Sequence, residues 1–148
     1  MTEPSIHPAG PPPDRPPTRP PDVDTGFWLW AAALPLLVMG YLIDNFMVPV
    51  AGASLFVKGM AVMIVVAVAA IVLTFLILLR QGYRWTRTLL TAGGFGSVAY
   101  TVTNLFTVER ESPVAAFGYA VTAIIGSVLI AGGIFLLHRK DSNAFFMR

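Results

Sequence analysis

The stretch GMAVMIVVAVAAIVLTFLILL, residues Gly59–Leu79, decides the fold. Its 21 residues carry no charge and lie between Lys58 and Arg80, and thirteen of them are Val, Ile, Leu or Phe. As a helix it would be about 31 Å long, which matches the hydrocarbon thickness of a bilayer. At roughly −0.3 to −0.6 kcal/mol for each such residue, the thirteen contribute at most roughly −4 to −8 kcal/mol to insertion. The stretch predicts a transmembrane helix.

The composition of the whole chain agrees with a small membrane domain. Of its 148 residues, 55% are hydrophobic and only 12% are charged, about half the charged fraction of a soluble domain. The net charge is +2, but the basic residues lie at predicted helix ends and form no patch, so nucleic acid is not expected as a partner. The lack of cysteine excludes disulfides and thiolate metal sites.

The sequence predicts an all-α, integral membrane four-helix bundle that follows a disordered tail. Residues 1–24 hold nine of the twelve prolines and few apolar residues, a composition typical of a disordered, polyproline-II-biased segment. The membrane domain is predicted over residues 25–140, and residues 141–148 form a short cytoplasmic tail. Within the domain, helices are predicted at about 26–43, 59–79, 88–108 and 113–137.

Helix ends are indicated by local residue types. Thr25 is predicted as the N-cap of the first helix, and Ser112 followed by Pro113 as the start of the fourth. Gly82 is predicted just beyond the end of the second helix. Residues 46–57 are apolar but too short and too interrupted to span. Three interpretations remain open for this segment: it is interfacial, it is shallowly re-entrant, or it is an extra turn of the first helix broken at Pro49.

The distribution of basic residues predicts the orientation. Four spans place both termini and the loop 80–87 on one side, which then carries eight of the ten basic residues. The positive-inside bias puts that side in the cytoplasm, with the chain in the plasma membrane. The basic residues next to the helices on that side are Arg80, Arg84, Arg87, Arg139 and Lys140. Trp28, Trp30 and Trp85 are expected in an aromatic belt at the same boundary.

Two helices carry small and hydroxylated residues on one face, which is typical of helix packing in membranes. These residues are Gly93, Ser97, Thr101 and Asn104 on the third helix, and Gly118, Thr122 and Gly126 on the fourth. Small residues let helices approach closely, and hydroxyl or amide groups hydrogen-bond across the interface. The favoured interpretation is that the two helices pack on each other as a hairpin. In the alternative, one face binds a different protein.

Asn104 is the most polar side chain inside any predicted span. One interpretation has it lining a small cavity with Tyr100, Tyr41 or Tyr119. The favoured interpretation is an interhelical hydrogen bond, which contributes roughly 0.6–2 kcal/mol.

Asp44 lies at the outer end of the first helix, and with Asn104 it forms a possible outer polar site. A buried carboxylate there could relay protons or bind a cation. Solvation, or pairing with Lys58 or Arg110, is the favoured interpretation. A weak cation site that combines Asp44 with two neighbouring glutamates has no recognisable ligand spacing, so neither a metal nor a cofactor is predicted.

Two segments resemble small four-pass membrane proteins of actinobacteria, of the mycobacterial type. The first is DVDTGFWLW (Asp22–Trp30), which runs into LPLLV (Leu34–Val38) after a proline-rich start. The second is DSNAFF (Asp141–Phe146), which follows the last predicted span. The resemblance implies a small accessory membrane subunit, for example of an Mce-type lipid importer.

The expected function is that of a non-catalytic accessory or stabilising subunit of a larger membrane complex, such as a lipid-import or other cell-envelope transport machine. Its partners would then be the lipid bilayer and a larger membrane protein. The sequence contains no Gly-rich phosphate loop after a strand, no metal-binding His pair and no catalytic triad, so an enzyme is not expected. The alternative is a small homo-oligomeric carrier or channel that uses the polar face of helix three.

Overall fold

The computed structural model describes residues 20–49, 52, 54–140, 142 and 146. Over these residues the chain is all-α, and its helices in chain order are α1 (Pro21–Met47), α2 (Leu55–Arg80), α3 (Arg84–Thr107) and α4 (Pro113–Leu137). Helices α1, α2 and α4 are each long and apolar enough to cross a membrane. An all-α chain with helices able to span a bilayer is therefore confirmed. Most of the predicted disordered tail, residues 1–19, lies outside the described residues.

Helix α1 begins earlier than the sequence predicted. Thr25 is not its N-cap, because Pro20 occupies that position without a side-chain hydrogen bond. Proline suits the first helical position, where Pro21 lies, since its φ is already helical and its missing amide hydrogen is not needed there. The last residues of the predicted tail therefore form the first turn of α1.

The C-terminus of α2 and the N-terminus of α4 have the predicted local geometry. Gly82 has a φ of +91°, and its N–H donates to the carbonyl of Leu79 at 3.0 Å. The N–H of Tyr83 donates to Leu78 at 3.3 Å, which completes a Schellman motif. At the start of α4, Ser112 Oγ accepts a hydrogen bond from the amide three residues later at 3.4 Å, so it is the N-cap.

Both loops that flank α2 are shorter than predicted. Helix α3 begins at Arg84, so residues 84–87, which were expected in the loop, form its first turn. On the other side, α1 continues to Met47 and α2 begins at Leu55, so both ends of the ambiguous segment are helical. Pro49 follows the end of α1, where its missing amide hydrogen and its ring oppose further helix.

The four helices pack in a ring, in which α1 and α3 each contact both α2 and α4. An ion pair of 3.1 Å between Asp24 and Arg80 places the start of α1 beside the end of α2. A second pair, of 2.7 Å, joins Asp44 near the end of α1 to Arg110 before α4. Consecutive helices are therefore antiparallel. The two ends of the bundle are called the Asp24 end and the Asp44 end below.

The most extensive interface joins α1 to α4, and the small residues of α4 face it. A Cβ atom added to Gly126 would lie 3.2 Å from Leu37 Cδ2, and one added to Gly118 would lie 3.2 Å from Ile43 Cδ1. Helices α3 and α4 do contact each other, but the expectation that this face of α4 packs on α3 is wrong. The reason is that α1 carries its own buried small residues at seven-residue intervals, which are Gly26, Ala33 and Gly40.

Trp30 is wedged between α3 and α4. A Cβ atom on Gly94 would lie 2.8 Å from Trp30 Cη2, and one on Gly133 would lie 2.5 Å from Trp30 Cδ1. The side chain is only 5% exposed, so its predicted place in an interfacial belt is wrong. Trp28 and Trp85, in contrast, are 63% and 49% exposed. The two glycines create the space that an indole of this size needs.

The described part of the C-terminal segment packs on the bundle rather than extending away as a tail. Ser142 and Phe146 are both buried. Ser142 Oγ donates to the carbonyl of Leu136 at 2.9 Å, and the guanidinium of Arg87 lies 5.3 Å from the centre of the Phe146 ring. Burial of an aromatic ring is favourable enough to hold such a segment against a helix end.

The packing of Trp30 against Gly94 and Gly133 predicts that glycine-to-alanine substitutions will differ greatly in their effect on stability. Gly94→Ala and Gly133→Ala should each destabilise the protein by about 1–3 kcal/mol, because a rigid indole must move to admit the methyl group. Gly93→Ala is the matched control, since nothing lies within 4 Å of its added Cβ. It should be neutral or stabilising by up to about 1 kcal/mol. Thermal unfolding in mild detergent measures this order, and equal melting temperatures for all three variants would contradict the wedge.

Candidate functional site

A cleft of about 700 Å³ runs between the helices and is the main concave feature of the described part of the chain. Its walls come from α1, α2 and α3, with the first half of α4 behind them. Val68 of α2 and Tyr100 of α3 line it and are 52% and 61% exposed. The cleft is therefore open to the surroundings between α2 and α3.

The cleft lies beside α2, whose side chains are buried near one end only. Its two buried residues, Leu76 and Leu79, both lie near its C-terminus. There Phe75 also packs edge-to-face on Trp85 of α3, with ring centres 5.5 Å apart. Toward its N-terminus α2 has no buried side chain, and it is joined to α1 there by the hydrogen bond from Asn45 to the carbonyl of Lys58 at 3.3 Å. The space left beside α2 widens into the cleft.

The lining changes from apolar to polar along the cleft. The middle and the part toward the Asp24 end are lined by apolar side chains, including those of Trp30, Ala33, Leu37, Val65, Val72 and Leu90. Most of the polar side chains lie toward the Asp44 end, and these are Tyr41, Asp44, Asn45, Tyr100, Thr101, Asn104, Tyr119 and Thr122; Ser97 lies one turn of α3 before Thr101. The cleft thus has an apolar length and one polar end, which is the character of a site for an amphiphile.

A buried ion pair closes the polar end. Arg110 donates to both carboxylate oxygens of Asp44, at 2.7 and 2.8 Å, and to the backbone carbonyls of Asn104 and Val108 at 3.2 and 3.1 Å. Its guanidinium also stacks over the Tyr119 ring at 3.8 Å from the centre. The two charged side chains are 4% and 19% exposed. The structure thus pairs Asp44 as the sequence favoured, and the charge of Arg110 is balanced within the protein.

The predicted polar face of α3 lines the cleft instead of packing on α4. Gly93, Ser97, Thr101 and Asn104 all belong to its wall. Thr101 is buried, and its carbonyl accepts a hydrogen bond from the Tyr119 hydroxyl at 3.4 Å. Asn104 lines the cleft together with Tyr41, Tyr100 and Tyr119, which is the first of the two roles considered for it. Its backbone carbonyl accepts a hydrogen bond from Arg110 at 3.2 Å.

On α4, Thr122 belongs both to the interface with α1 and to the lining of the cleft. The Thr122 hydroxyl donates to the carbonyls of Gly118 and Tyr119, both at 3.0 Å. Its oxygen would lie 2.9 Å from a Cβ added to Gly40. A small residue on α1 is therefore needed where Thr122 meets it.

The Asp24 end holds most of the basic residues that were predicted to set topology. Arg139 pairs with Asp22 at 3.3 Å, and Arg80 lies over the Phe27 ring at 4.7 Å besides its pair with Asp24. Arg87 donates to the carbonyl of Leu137 at 3.4 Å, while Arg84 and Lys140 are exposed. These contacts join the ends of all four helices at this end of the bundle.

Metal binding at the Asp44 end is not supported by the geometry. Glu109 and Glu111 are exposed, and Asp44 is held by Arg110. Across the described residues, no three acidic or histidine side chains converge in a way that could hold a metal ion. The weak cation site considered from the sequence is therefore wrong for this part of the chain.

Sequence reasoning missed two contributors to the site, Asn45 and the small residues of α1. Asn45 lines the polar end and donates to the carbonyl of Lys58 at 3.3 Å, which joins α1 to α2. The heptad of Gly26, Ala33 and Gly40 was a readable signal, because small residues at seven-residue spacing share one helix face.

The fold and the cleft define a class: a helical bundle, with helices able to cross a membrane, that encloses a side-opening amphiphilic cleft. Comparisons with protein-family models, with curated proteins and with solved structures find no match. What the chain does is therefore proposed from its geometry.

The ion pair predicts unequal effects for two carboxylates of α1. Asp44→Asn should destabilise the protein by about 3–5 kcal/mol, because Arg110 is then left buried without a counter-charge. Asp24→Asn is the control, and it should cost about 1 kcal/mol or less, since that pair is more than a third exposed. Unfolding in mild detergent compares the two, and similar losses would show that the Asp44 pair is not shielded from solvent.

Proposed function

We propose that the chain is a non-catalytic accessory subunit of a larger membrane assembly. It binds a transmembrane helix of its partner along an exposed face of α3, which is called the outer face below. The outer face consists of Ala92, Gly96, Ala99 and Thr103, spaced so that they share one side of the helix. All four are exposed.

The observation that carries the proposal is the contrast between α3 and the other helices. Helices α1, α2 and α4 qualify as membrane spans by length and composition, whereas α3 does not. Gly96 has open space beyond it, with nothing within 4 Å of an added Cβ. A helix of low hydropathy is more stable in a bilayer when another helix covers it, and small residues admit that helix closely.

The proposed setting is the plasma membrane, with α3 as a fourth span and both termini in the cytoplasm. The basic residues at the Asp24 end support this orientation through the positive-inside bias. The resemblance to small four-pass actinobacterial proteins supports a cell-envelope transport machine, such as a lipid importer, as the larger assembly.

The orientation is tested with single cysteines, because the chain has none of its own. Glu111→Cys lies at the Asp44 end and should react with a membrane-impermeant maleimide on intact cells. Gln81→Cys lies at the Asp24 end and should react only after permeabilisation. Both positions are exposed. Labelling of Gln81→Cys on intact cells would overturn the proposed orientation.

The accessory role predicts that native purification in mild detergent recovers a larger membrane protein in fixed stoichiometry. Gly96→Leu should abolish this association, because a branched side chain on the outer face keeps the partner helix away. Gly93→Leu is the matched control. It also places a leucine side chain in open space, but at a position that lines the cleft. Mass spectrometry of the purified material measures partner recovery. Equal recovery with both variants would contradict binding at the outer face.

One observation favours a second candidate, a small homo-oligomeric carrier or channel. The polar face of α3, from Gly93 to Asn104, lines a cleft instead of being covered by another helix. Recovery of the chain only as a homo-oligomer, together with solute flux in proteoliposomes that Asn104→Leu abolishes, would replace the accessory role with this one.

A further inference from the structure

We propose that the cleft binds one acyl chain of an uncharged lipid whose head group carries hydroxyls, such as a monoacylglycerol. The chain lies along the apolar lining between α2 and α3, and the head group lies among the polar side chains of the Asp44 end. The inference depends on the cleft alone, and it stands whether or not the outer face of α3 binds a partner.

The dimensions of the cleft fit a single acyl chain. Its apolar part extends along α1 from Trp30 to Tyr41, which is about 16 Å at ~1.5 Å per residue. One leaflet contributes half of a hydrocarbon core of ~30 Å, so a lipid chain occupies about 15 Å of depth. The cleft volume of about 700 Å³ also falls within the range of roughly 300–1,000 Å³ that is usual for ligand sites.

A transmembrane helix of a partner is the other occupant to consider, and it would be a rigid body about 10 Å across. An acyl chain is thinner and flexible, and it can enter sideways from the bilayer through the opening beside Val68 and Tyr100.

The polar end selects an uncharged head group. The charge of Arg110 is already balanced by Asp44, and its guanidinium makes four hydrogen bonds and stacks on Tyr119. A phosphate that drew Arg110 away from Asp44 would leave a mostly buried carboxylate without its counter-charge, which is unfavourable. The pair therefore has no net charge and offers no unbalanced positive charge to an anionic head group.

Hydroxyl and amide groups surround this ion pair and match an alcohol. Tyr41 and Tyr100 bring phenolic hydroxyls, and Asn45 and Asn104 bring amides, all lining the same end of the cleft. Hydroxyls and amides both donate and accept hydrogen bonds, as do the hydroxyls of a glycerol head group. The site thus pairs an apolar channel of one-leaflet length with a neutral hydrogen-bonding end.

The test uses Trp30 as a reporter, because it lines the cleft and is 5% exposed. Trp28→Phe and Trp85→Phe remove the two exposed indoles. The full-length protein is placed in phosphatidylcholine nanodiscs, and a monoacylglycerol with a dibrominated chain is added as quencher. Trp30 fluorescence should fall and saturate at a low mole fraction of the brominated lipid, with the unbrominated lipid as reference. Quenching that only follows the bulk mole fraction would overturn the proposal.

Matched variants locate the binding. Gly93→Leu fills the cleft from α3, and Ala69→Leu fills it from α2, so each should weaken the saturable quenching at least roughly tenfold, or about 1.4 kcal/mol. Gly96→Leu adds the same side chain outside the cleft and should leave quenching unchanged. If quenching survives in both cleft variants while their circular dichroism stays native, the chain does not bind in the cleft.

A competition experiment tests the head group. Unbrominated monoacylglycerol should relieve the quenching, whereas lysophosphatidic acid with the same single acyl chain, at the same mole fraction, should not. Equal competition by lysophosphatidic acid would overturn the assignment of an uncharged head group. The outcome is separable from the accessory role, since Gly96→Leu should lose the partner and keep the lipid, and Gly93→Leu should do the reverse.

Discussion

The position of Trp30 between Gly94 and Gly133 is the contact on which the rest of the bundle depends. It joins α1 to α3 and α4 at once, and it tolerates no side chain on either glycine. Helix α2 has buried side chains only near its C-terminus. The space between the rest of α2 and the other helices is the cleft.

The two ends of the bundle are held by different kinds of ion pair. At the Asp24 end the pairs are partly exposed and so contribute little individually, and their main effect is to bring helix ends together. At the Asp44 end the pair of Asp44 with Arg110 is mostly buried, and the guanidinium makes four hydrogen bonds. Burial of that kind stabilises only when the partners are complete. A neutral and rigid polar surface therefore closes the cleft where hydroxyl and amide groups gather.

Helix α3 connects the two proposed activities. Its face with Gly93 and Asn104 belongs to the cleft, while its outer face around Gly96 is exposed. Gly93 lines the cleft and Gly96 does not, although the two are only about 60° apart around the helix, so the edge of the cleft runs between them. Neither has a neighbour within 4 Å of an added Cβ. The low hydropathy of α3 has a physical account in this arrangement, because a helix between a polar-ended cleft and a partner needs less lipid-facing surface than one in bare bilayer.

By itself the sequence determined the class of molecule and several local details. An uncharged run as long as Gly59–Leu79 is typical of a helix that crosses a bilayer. The helix ends at Gly82 and Ser112 follow from local chemistry. It also identified the polar face of α3 and the pairing of Asp44. Only the tertiary structure decided that the glycines of α4 meet α1, that Trp30 is interior, and that the face of α3 lines a cleft. Helical periodicity shows which residues share a face, but the neighbour of that face depends on which helices fit together in three dimensions.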